Sequence, residues 1–139
     1  NQLILKKNIK TLSSVSEIKT IRKEIELICQ SSNITNKVKL DLQLAVNEAQ
    51  ANIIEHAYLG DPTKYIYFNF LIYQDKLEIT IKDNGVPLKS DSIEKKISNN
   101  LEELEGSGLG LFLIYNLMDE INFTSTKTEN KLKLVKYNP

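Results

Sequence analysis

Two strand-like runs separated by only two residues place the strongest constraint on the fold of this chain. The run "KYIYFNFLIY" (64–73) is rich in aromatic and apolar residues, and the run "KLEITIKD" (76–83) alternates apolar and polar side chains. Successive side chains of a strand point to opposite faces, so the second run has one apolar face. The two residues between the runs fit a tight turn, and we therefore predict an antiparallel β-hairpin.

The other elements surround this hairpin with helices and further strands. Residues 2–9 read as a first strand. Two helices follow, the first capped by Ser14 or Ser16 and the second by Thr35. A third helix begins within "GLGLFLIYNLMDE", and the ranges 120–127 and 131–137 read as two closing strands. The order predicts an α+β fold, a two-layer sandwich in which helices cover one face of a mixed, mostly antiparallel sheet.

Composition limits the classes of protein to which the chain can belong. Its 139 residues suit one domain, spanning 1–139. The 18 basic and 18 acidic residues leave no net charge, which disfavours direct binding of nucleic acid. Cys29 is the lone cysteine, which excludes an internal disulfide, and its apolar position on a helix predicts a buried thiol. No signal peptide opens the chain and no apolar stretch could span a bilayer, so we expect a cytoplasmic protein without membrane contact.

A polar stripe crosses the predicted second helix, within "LDLQLAVNEAQANIIEHAY" (40–58). Glu48, Asn52 and His56 follow one another at steps of four. A step of four drifts by about 40° around an α-helix, which puts the stripe beside the apolar face. It is either a half-exposed boundary or a site for a hard cation such as Mg²⁺, which prefers oxygen ligands and keeps waters. A zinc site is less favoured, because one histidine without cysteines leaves too few suitable ligands.

Two glycine-containing segments complete the set of candidate site residues. In "KDNGVP" (82–87), Asp83 ends a strand, and Gly85 permits a close backbone approach. The acid either forms a turn or accepts a hydrogen bond from an amino group such as that of adenine. In "EGSGLGLFLI" (105–114), glycines precede a helix whose first N–H groups suit phosphate, although a glycine-rich hinge has the same pattern. The polar segment between them, at about 84–107, would form a lid.

These elements together resemble the Bergerat-type ATP-binding fold shared by DNA gyrase, the heat-shock chaperone ATPase, sensor histidine kinases and the MutL mismatch-repair ATPase. Within this superfamily the chain is most similar to the bacterial anti-sigma-factor serine/threonine kinases. Their first motif, Glu-x-x-x-Asn-x-x-x-His-Ala-Tyr, is seen here as "EAQANIIEHAY". The stretch "GLGLFLIYNLMDEI" also resembles theirs, and the likeness covers nearly the whole chain.

The resemblance implies ATP and Mg²⁺ as cofactors and assigns a role to each motif residue. It implies that Glu48 is the general base, that Asn52 is the Mg²⁺ ligand and that His56 has a supporting place near the nucleotide. Asp83 would read the adenine amino group, with Gly85 packed beside the base. The phosphate-contacting end of the lid would consist of Gly106, Gly108 and Gly110, together with the backbone N–H groups of Leu109 and Leu111.

Three departures from the family pattern stand out. Pro87 occupies the last position of a motif that is usually Asp-x-Gly-x-Gly, and it would stiffen the first hinge of the lid. The last hairpin has Asn130 where the family often begins a Gly-Thr pair. The lid has no arginine, so a positively charged side chain that assists there would have to be Lys95 or Lys96.

We therefore predict an ATP-dependent protein serine/threonine kinase. The resemblance implies that it phosphorylates an anti-sigma-factor antagonist, sequesters a sigma factor and forms a homodimer. One alternative is a nucleotide-dependent binding module with little kinase activity, which Pro87 and the arginine-free lid favour slightly. Another is the catalytic domain of a sensor histidine kinase, which would need an upstream helix carrying a phosphorylatable histidine.

Overall fold

The computed structural model describes residues 2–88, 93–95 and 111–138, with residues 93–95 and Leu111 described by their backbone alone. The helices and strands follow the predicted order. In chain order they are β1 (Leu3–Leu12), α1 (Glu17–Ser31), α2 (Asn36–Asn52), β2 (Tyr65–Tyr73), β3 (Lys76–Asp83), β4 (Ile93–Lys95), α3 (Leu111–Leu117), β5 (Glu120–Ser125) and β6 (Asn130–Tyr137).

The strands that the structure describes form one sheet in the order β1-β2-β3-β6-β5-β4. Each neighbouring pair is antiparallel, so the sheet is more regular than the mixed one expected. The predicted β2–β3 hairpin is confirmed, with Ile72 paired to Leu77 beside the turn. The short strand β4 pairs with β5 at the sheet edge, so part of the expected lid is regular strand.

The hydrophobic core lies between one face of the sheet and the two long helices, which confirms the two-layer α+β fold. Along β2, buried residues alternate with more exposed ones, as a strand covered on one face requires. Phe68 and Phe70 are both fully buried there. Cys29 of α1 joins the same core, and burial raises the pKa of its thiol to about 11. In the ranges that the structure describes, no helix has the length and apolar character needed to cross a membrane.

The helix starts agree with the capping predictions in one case and only partly in the other. Thr35 caps α2, because its hydroxyl accepts a hydrogen bond from the Val38 N–H at 3.3 Å. Helix α1 begins directly after Ser16, but the hydroxyl of this serine makes no capping hydrogen bond. It contacts the hydroxyl of Ser14 instead, at 2.9 Å.

Helix α2 changes its winding after Asn52, the second residue of the polar stripe. The α-helix ends at Asn52, and a π-helical turn, Ile53–Ala57, continues it. The Tyr58 N–H reaches the carbonyl of Ile53, five residues back, at 2.9 Å. The prediction of one regular helix as far as Tyr58 is therefore wrong, and His56 leaves the strip calculated from α-helical geometry.

A buried acid anchors α2 to the sheet and to α3. The Asp41 carboxylate receives the ammonium groups of Lys37 and Lys136, and Lys136 also donates to the carbonyl of Leu117 at 2.6 Å. Burial alone would raise the pKa of Asp41, but the hydrogen bonds and charges of the two lysines outweigh it and lower this pKa. This ion cluster joins three elements that surround the site described below.

We predict that Asp41→Asn destabilises the protein by roughly 2 kcal/mol, because it leaves Lys136 without its counter-charge. Since the folded pKa of Asp41 is lowered, its contribution is complete above the unfolded pKa of about 3.9 and is lost as the pH falls through the folded value. Urea unfolding at several pH values checks both the size and the acid dependence. Glu24→Gln, which breaks a more exposed pair with Lys7, is the control and should cost less than about 1 kcal/mol.

Candidate functional site

A cavity opens between α2 and the sheet, at the end of β3. The space inside it that the centres of water-sized spheres can occupy is only about 20 Å³, and the cavity is partly open to solvent. Most of its walls are apolar, and three of its residues are polar. The lining residues are Ala49, Asn52, Ile53, Ile81, Asp83, Leu88, Ile114, Phe123, Asn130 and Leu132. Apolar walls with a few fixed polar groups are typical of sites for small organic ligands.

Asp83 is the buried acid of this cavity. It is the last residue of β3 and only 1% of its surface is exposed. Its Oδ1 accepts hydrogen bonds from the Gly85 N–H and from Asn130 Nδ2, each at 2.9 Å. Burial raises the pKa of Asp83, and these two hydrogen bonds oppose the rise only in part. A buried acid held by neutral donors, in a cavity, is a candidate for a functional group.

Asn130 holds both Asp83 and the chain that follows it. Its Nδ2 donates to the carboxylate of Asp83 and to the carbonyl of Val86, each at 2.9 Å. Its Oδ1 accepts from the Leu88 N–H at 3.0 Å and from the Ser125 hydroxyl at 2.6 Å. Sequence reasoning noted Asn130 only as a departure from the family pattern. The signal that could have identified it is the strand register, because β3 and β6 pair Asp83 directly with Asn130.

Gly85 allows the turn after β3 to touch the end of the π-helical turn. A Cβ at this position would lie 2.4 Å from the carbonyl oxygen of Ala57, which is closer than any side chain could approach. The same carbonyl accepts a hydrogen bond from the Val86 N–H at 2.9 Å. Gly85 therefore packs against the helix end and is not among the residues that line the cavity.

Tyr58 reinforces this contact and gives a structural reason for the last two residues of the "HAY" motif. Its hydroxyl donates to the carbonyl of Tyr65 at 2.6 Å and accepts from the Asn84 N–H at 2.9 Å. It thereby joins the start of β2 to the turn after β3. Ala57 supplies the small side chain that the close approach of Gly85 requires.

The first five residues of the expected lid are fixed beside the cavity, and the last of them, Leu88, lines it. Residues 84–88 are held by hydrogen bonds to Tyr58, Ala57, Asp83 and Asn130. Pro87 has no N–H to satisfy, and the groups on either side of it, Val86 O and Leu88 N–H, both bind Asn130.

The structure separates the three residues of the helix stripe. Asn52, at the end of α2, lines the cavity. Glu48 lies one turn earlier on the same helix and is partly exposed. The side chain of His56 is 42% exposed, lies 3.9 Å from Glu55 and does not line the cavity.

The phosphate-contacting residues expected at the end of the lid fall largely outside the described residues. This applies to Gly106, Gly108, Leu109 and Gly110. Leu111 is described by its backbone alone, as the first residue of α3. Of the two lysines proposed for the lid, Lys95 is described by its backbone in β4, and Lys96 lies outside the described residues.

Many curated proteins are similar to this chain in sequence. The serine-protein kinase RsbW of a Bacillus cereus strain is 42% identical over 86 residues, which cover 58% of this chain and 53% of that protein. The serine-protein kinase RsbW of a Listeria monocytogenes serotype 4a strain is 38% identical over 86 residues, with 58% of this chain and 55% of that protein covered. The chain thus spans about half the length of the curated relatives it matches.

The fold is also similar to a solved structure. The crystal structure of the RsbU and RsbW domains of a Mycobacterium tuberculosis protein superposes with a TM-score of 0.73 at 14% sequence identity. The match covers 98% of this chain and 34% of that chain, and at this identity it concerns the fold alone.

Residues 12–136 match the family model described as the histidine kinase-like ATPase domain. Because this match spans most of the chain, the chain belongs to the histidine kinase-like ATPase domain family.

We predict that Gly85→Ala destabilises the protein by at least about 2 kcal/mol, because the new methyl group forces the turn away from Ala57. Gly60→Ala is the matched control. Gly60 has a φ of +84° but open space around it, so that variant should cost only about 1 kcal/mol of backbone strain. Urea unfolding of the two variants compares them. Equal losses would show that the contact with Ala57 is not close enough to matter.

Proposed function

We propose that this member of the histidine kinase-like ATPase domain family binds ATP and transfers its γ-phosphoryl group to a serine or threonine of a partner protein. The observation that carries the proposal is the buried Asp83 at the end of an apolar cavity. Among the described residues, both hydrogen bonds to this carboxylate reach Oδ1. Oδ2 is then the oxygen available to a ligand.

The base-reading step follows from the chemistry of an ionised carboxylate, which can only accept hydrogen bonds. The 6-amino group of adenine donates, whereas the 6-oxo group of guanine only accepts. The apolar side chains of Ile81, Phe123 and Leu132 would surround the flat ring, and Asp83 would orient it. This arrangement favours adenine nucleotides over guanine nucleotides.

The residues at the end of α2 fit a magnesium-bound triphosphate. Asn52 lines the cavity and offers an amide oxygen, the type of ligand that Mg²⁺ accepts alongside several waters. Bound Mg²⁺ would neutralise charge on the phosphates. Glu48, one turn earlier and partly exposed, would accept the proton of the attacking hydroxyl. His56 would have a supporting place at the outer end of the site, and Gly106, Gly108, Leu109, Gly110 and Leu111 would contact the phosphates.

The partners belong to the same proposal. Two relatives are named serine-protein kinases, which supports a serine or threonine as the acceptor rather than a histidine. The family resemblance supports an anti-sigma-factor antagonist as the phosphorylated protein, a sigma factor as the sequestered one, and a homodimer in the cytoplasm.

A second candidate function is nucleotide-dependent binding of a partner with little phosphoryl transfer. The hydrogen bonds that hold residues 84–88 favour it, because they tie the start of the expected lid to Tyr58 and Asn130. A binding module needs ATP to stabilise one surface, and it needs no proton acceptor at Glu48.

Phosphoryl transfer in Glu48→Gln distinguishes the two functions. Each candidate antagonist protein of the source organism would be incubated with radiolabelled ATP, Mg²⁺ and the wild-type protein or the variant. We predict label on serine or threonine with the wild type and at least about a 100-fold slower transfer with Glu48→Gln, because the variant cannot take the proton. ATP affinity should stay within about twofold, since the substitution removes no contact with the base.

Glu55→Gln provides the matched control, because Glu55 follows on the same helical segment and 75% of its side chain is exposed. It should transfer phosphate at the wild-type rate. Normal transfer by Glu48→Gln would rule out Glu48 as the base. Binding of ATP by the wild type without transfer to any candidate would favour the binding module.

A further inference from the structure

We infer that Asn130 sets the base specificity of the cavity, because its amide orients Asp83 so that this acid accepts a hydrogen bond from the base and does not donate one. The inference rests on the proposed function, in which Asp83 reads adenine. Asn130 is a positioning residue, since it acts on the base through Asp83 and through Leu88, which lines the cavity.

The orientation of the Asn130 amide follows from two backbone groups whose roles cannot change. The Val86 carbonyl can only accept, and it lies 2.9 Å from Nδ2. The Leu88 N–H can only donate, and its nitrogen lies 3.0 Å from Oδ1. If the amide were turned over, its oxygen would face the carbonyl oxygen of Val86, and two acceptors would meet. Its NH₂ group would face the Leu88 N–H, and two donors would meet. The amide therefore has one orientation, in which Nδ2 donates to Asp83.

This orientation determines what each oxygen of Asp83 can do. Oδ1 accepts from Asn130 Nδ2 and from the Gly85 N–H, so a proton on the acid could sit only on Oδ2. Without that proton, Oδ2 accepts and matches the 6-amino group of adenine. With the proton, Oδ2 would donate and match the 6-oxo group of hypoxanthine.

The hydrogen bond from Asn130 favours the form of Asp83 that reads adenine. Burial raises the pKa of Asp83 and Glu129 acts in the same direction, whereas the hydrogen bonds from Asn130 and Gly85 lower it. Removing the Asn130 donor therefore shifts the buried acid towards its protonated form. It also releases the backbone at Val86 and Leu88, and Leu88 lines the cavity.

A comparison of ATP with inosine triphosphate tests the inference directly, because the two bases differ only in the 6-substituent, amino or oxo, and in the proton that the 6-oxo base carries on N1. Their affinities would be measured by calorimetry with Mg²⁺ on the wild type and on Asn130→Leu, which keeps a similar volume but has no donor. We expect the wild type to prefer ATP by at least about tenfold, the usual effect of one hydrogen bond to a charged group. In Asn130→Leu we expect the ratio of the affinity for ATP to the affinity for inosine triphosphate to fall about tenfold.

Ser125→Ala is the matched control, because Ser125 contacts the same side chain at Oδ1 but leaves the bond from Nδ2 to Asp83 in place. Its preference for ATP should stay within about twofold of the wild type. The ratio of the two affinities does not depend on the fraction of folded protein, since unfolded chains bind neither nucleotide. Asn130→Ala is a second variant without the donor and should behave as Asn130→Leu does.

Each outcome bears on a different claim. Loss of preference in both Asn130 variants, with Ser125→Ala unchanged, supports Asn130 as the specificity-determining residue. An unchanged preference in the Asn130 variants, or an equal loss in Ser125→Ala, overturns it. A wild-type protein that binds neither nucleotide would instead contradict the proposed function.

Discussion

The close contact between Gly85 and Ala57 is the constraint on which the cavity depends. It brings the turn after β3 against the end of the π-helical turn, where no side chain at position 85 could fit. The Val86 N–H and the Tyr58 hydroxyl then fix the two segments by hydrogen bonds. Asn52 and Asp83, which lie on different elements, therefore face one cavity whose walls are formed by the fold itself.

Two buried acids in this small protein show how structural and functional charges differ. Asp41 is paired with two lysines that outweigh the effect of burial and lower its pKa, which suits a group that joins α2, β6 and α3. Asp83 is held by neutral donors, and burial raises its pKa. Because a carboxylate buried in this way opposes folding when it is ionised, its place in the cavity is best explained by a ligand that needs an acceptor there.

Local signals predicted most of the fold, and the parts that failed depend on contacts between distant residues. The alternation of 76–83 and the two-residue turn predicted the β2–β3 hairpin, and Thr35 predicted its cap. The π-helical turn was not predicted, and its last residue, Ala57, packs against Gly85, 28 positions further along the chain, a contact that local patterns do not show. The role of Asn130 was missed for the same reason, since only the β3–β6 register sets it opposite Asp83. The assignment of Asp83 and Asn52 to one site is consistent with their shared cavity, whereas His56 lies outside it.

The first experiment to perform is a calorimetric titration of ATP into the wild-type protein and into Asp83→Asn, with Mg²⁺ present, because it shows whether Asp83 reads the base. The amide oxygen of the variant can accept the same two hydrogen bonds as Oδ1 does, while its nitrogen sets a donor where Oδ2 accepted. We expect clear binding by the wild type and at least about tenfold weaker binding by the variant, with its fold intact by thermal unfolding. Equal affinities, or no binding by the wild type at millimolar ATP, would contradict the claim that Asp83 reads the base.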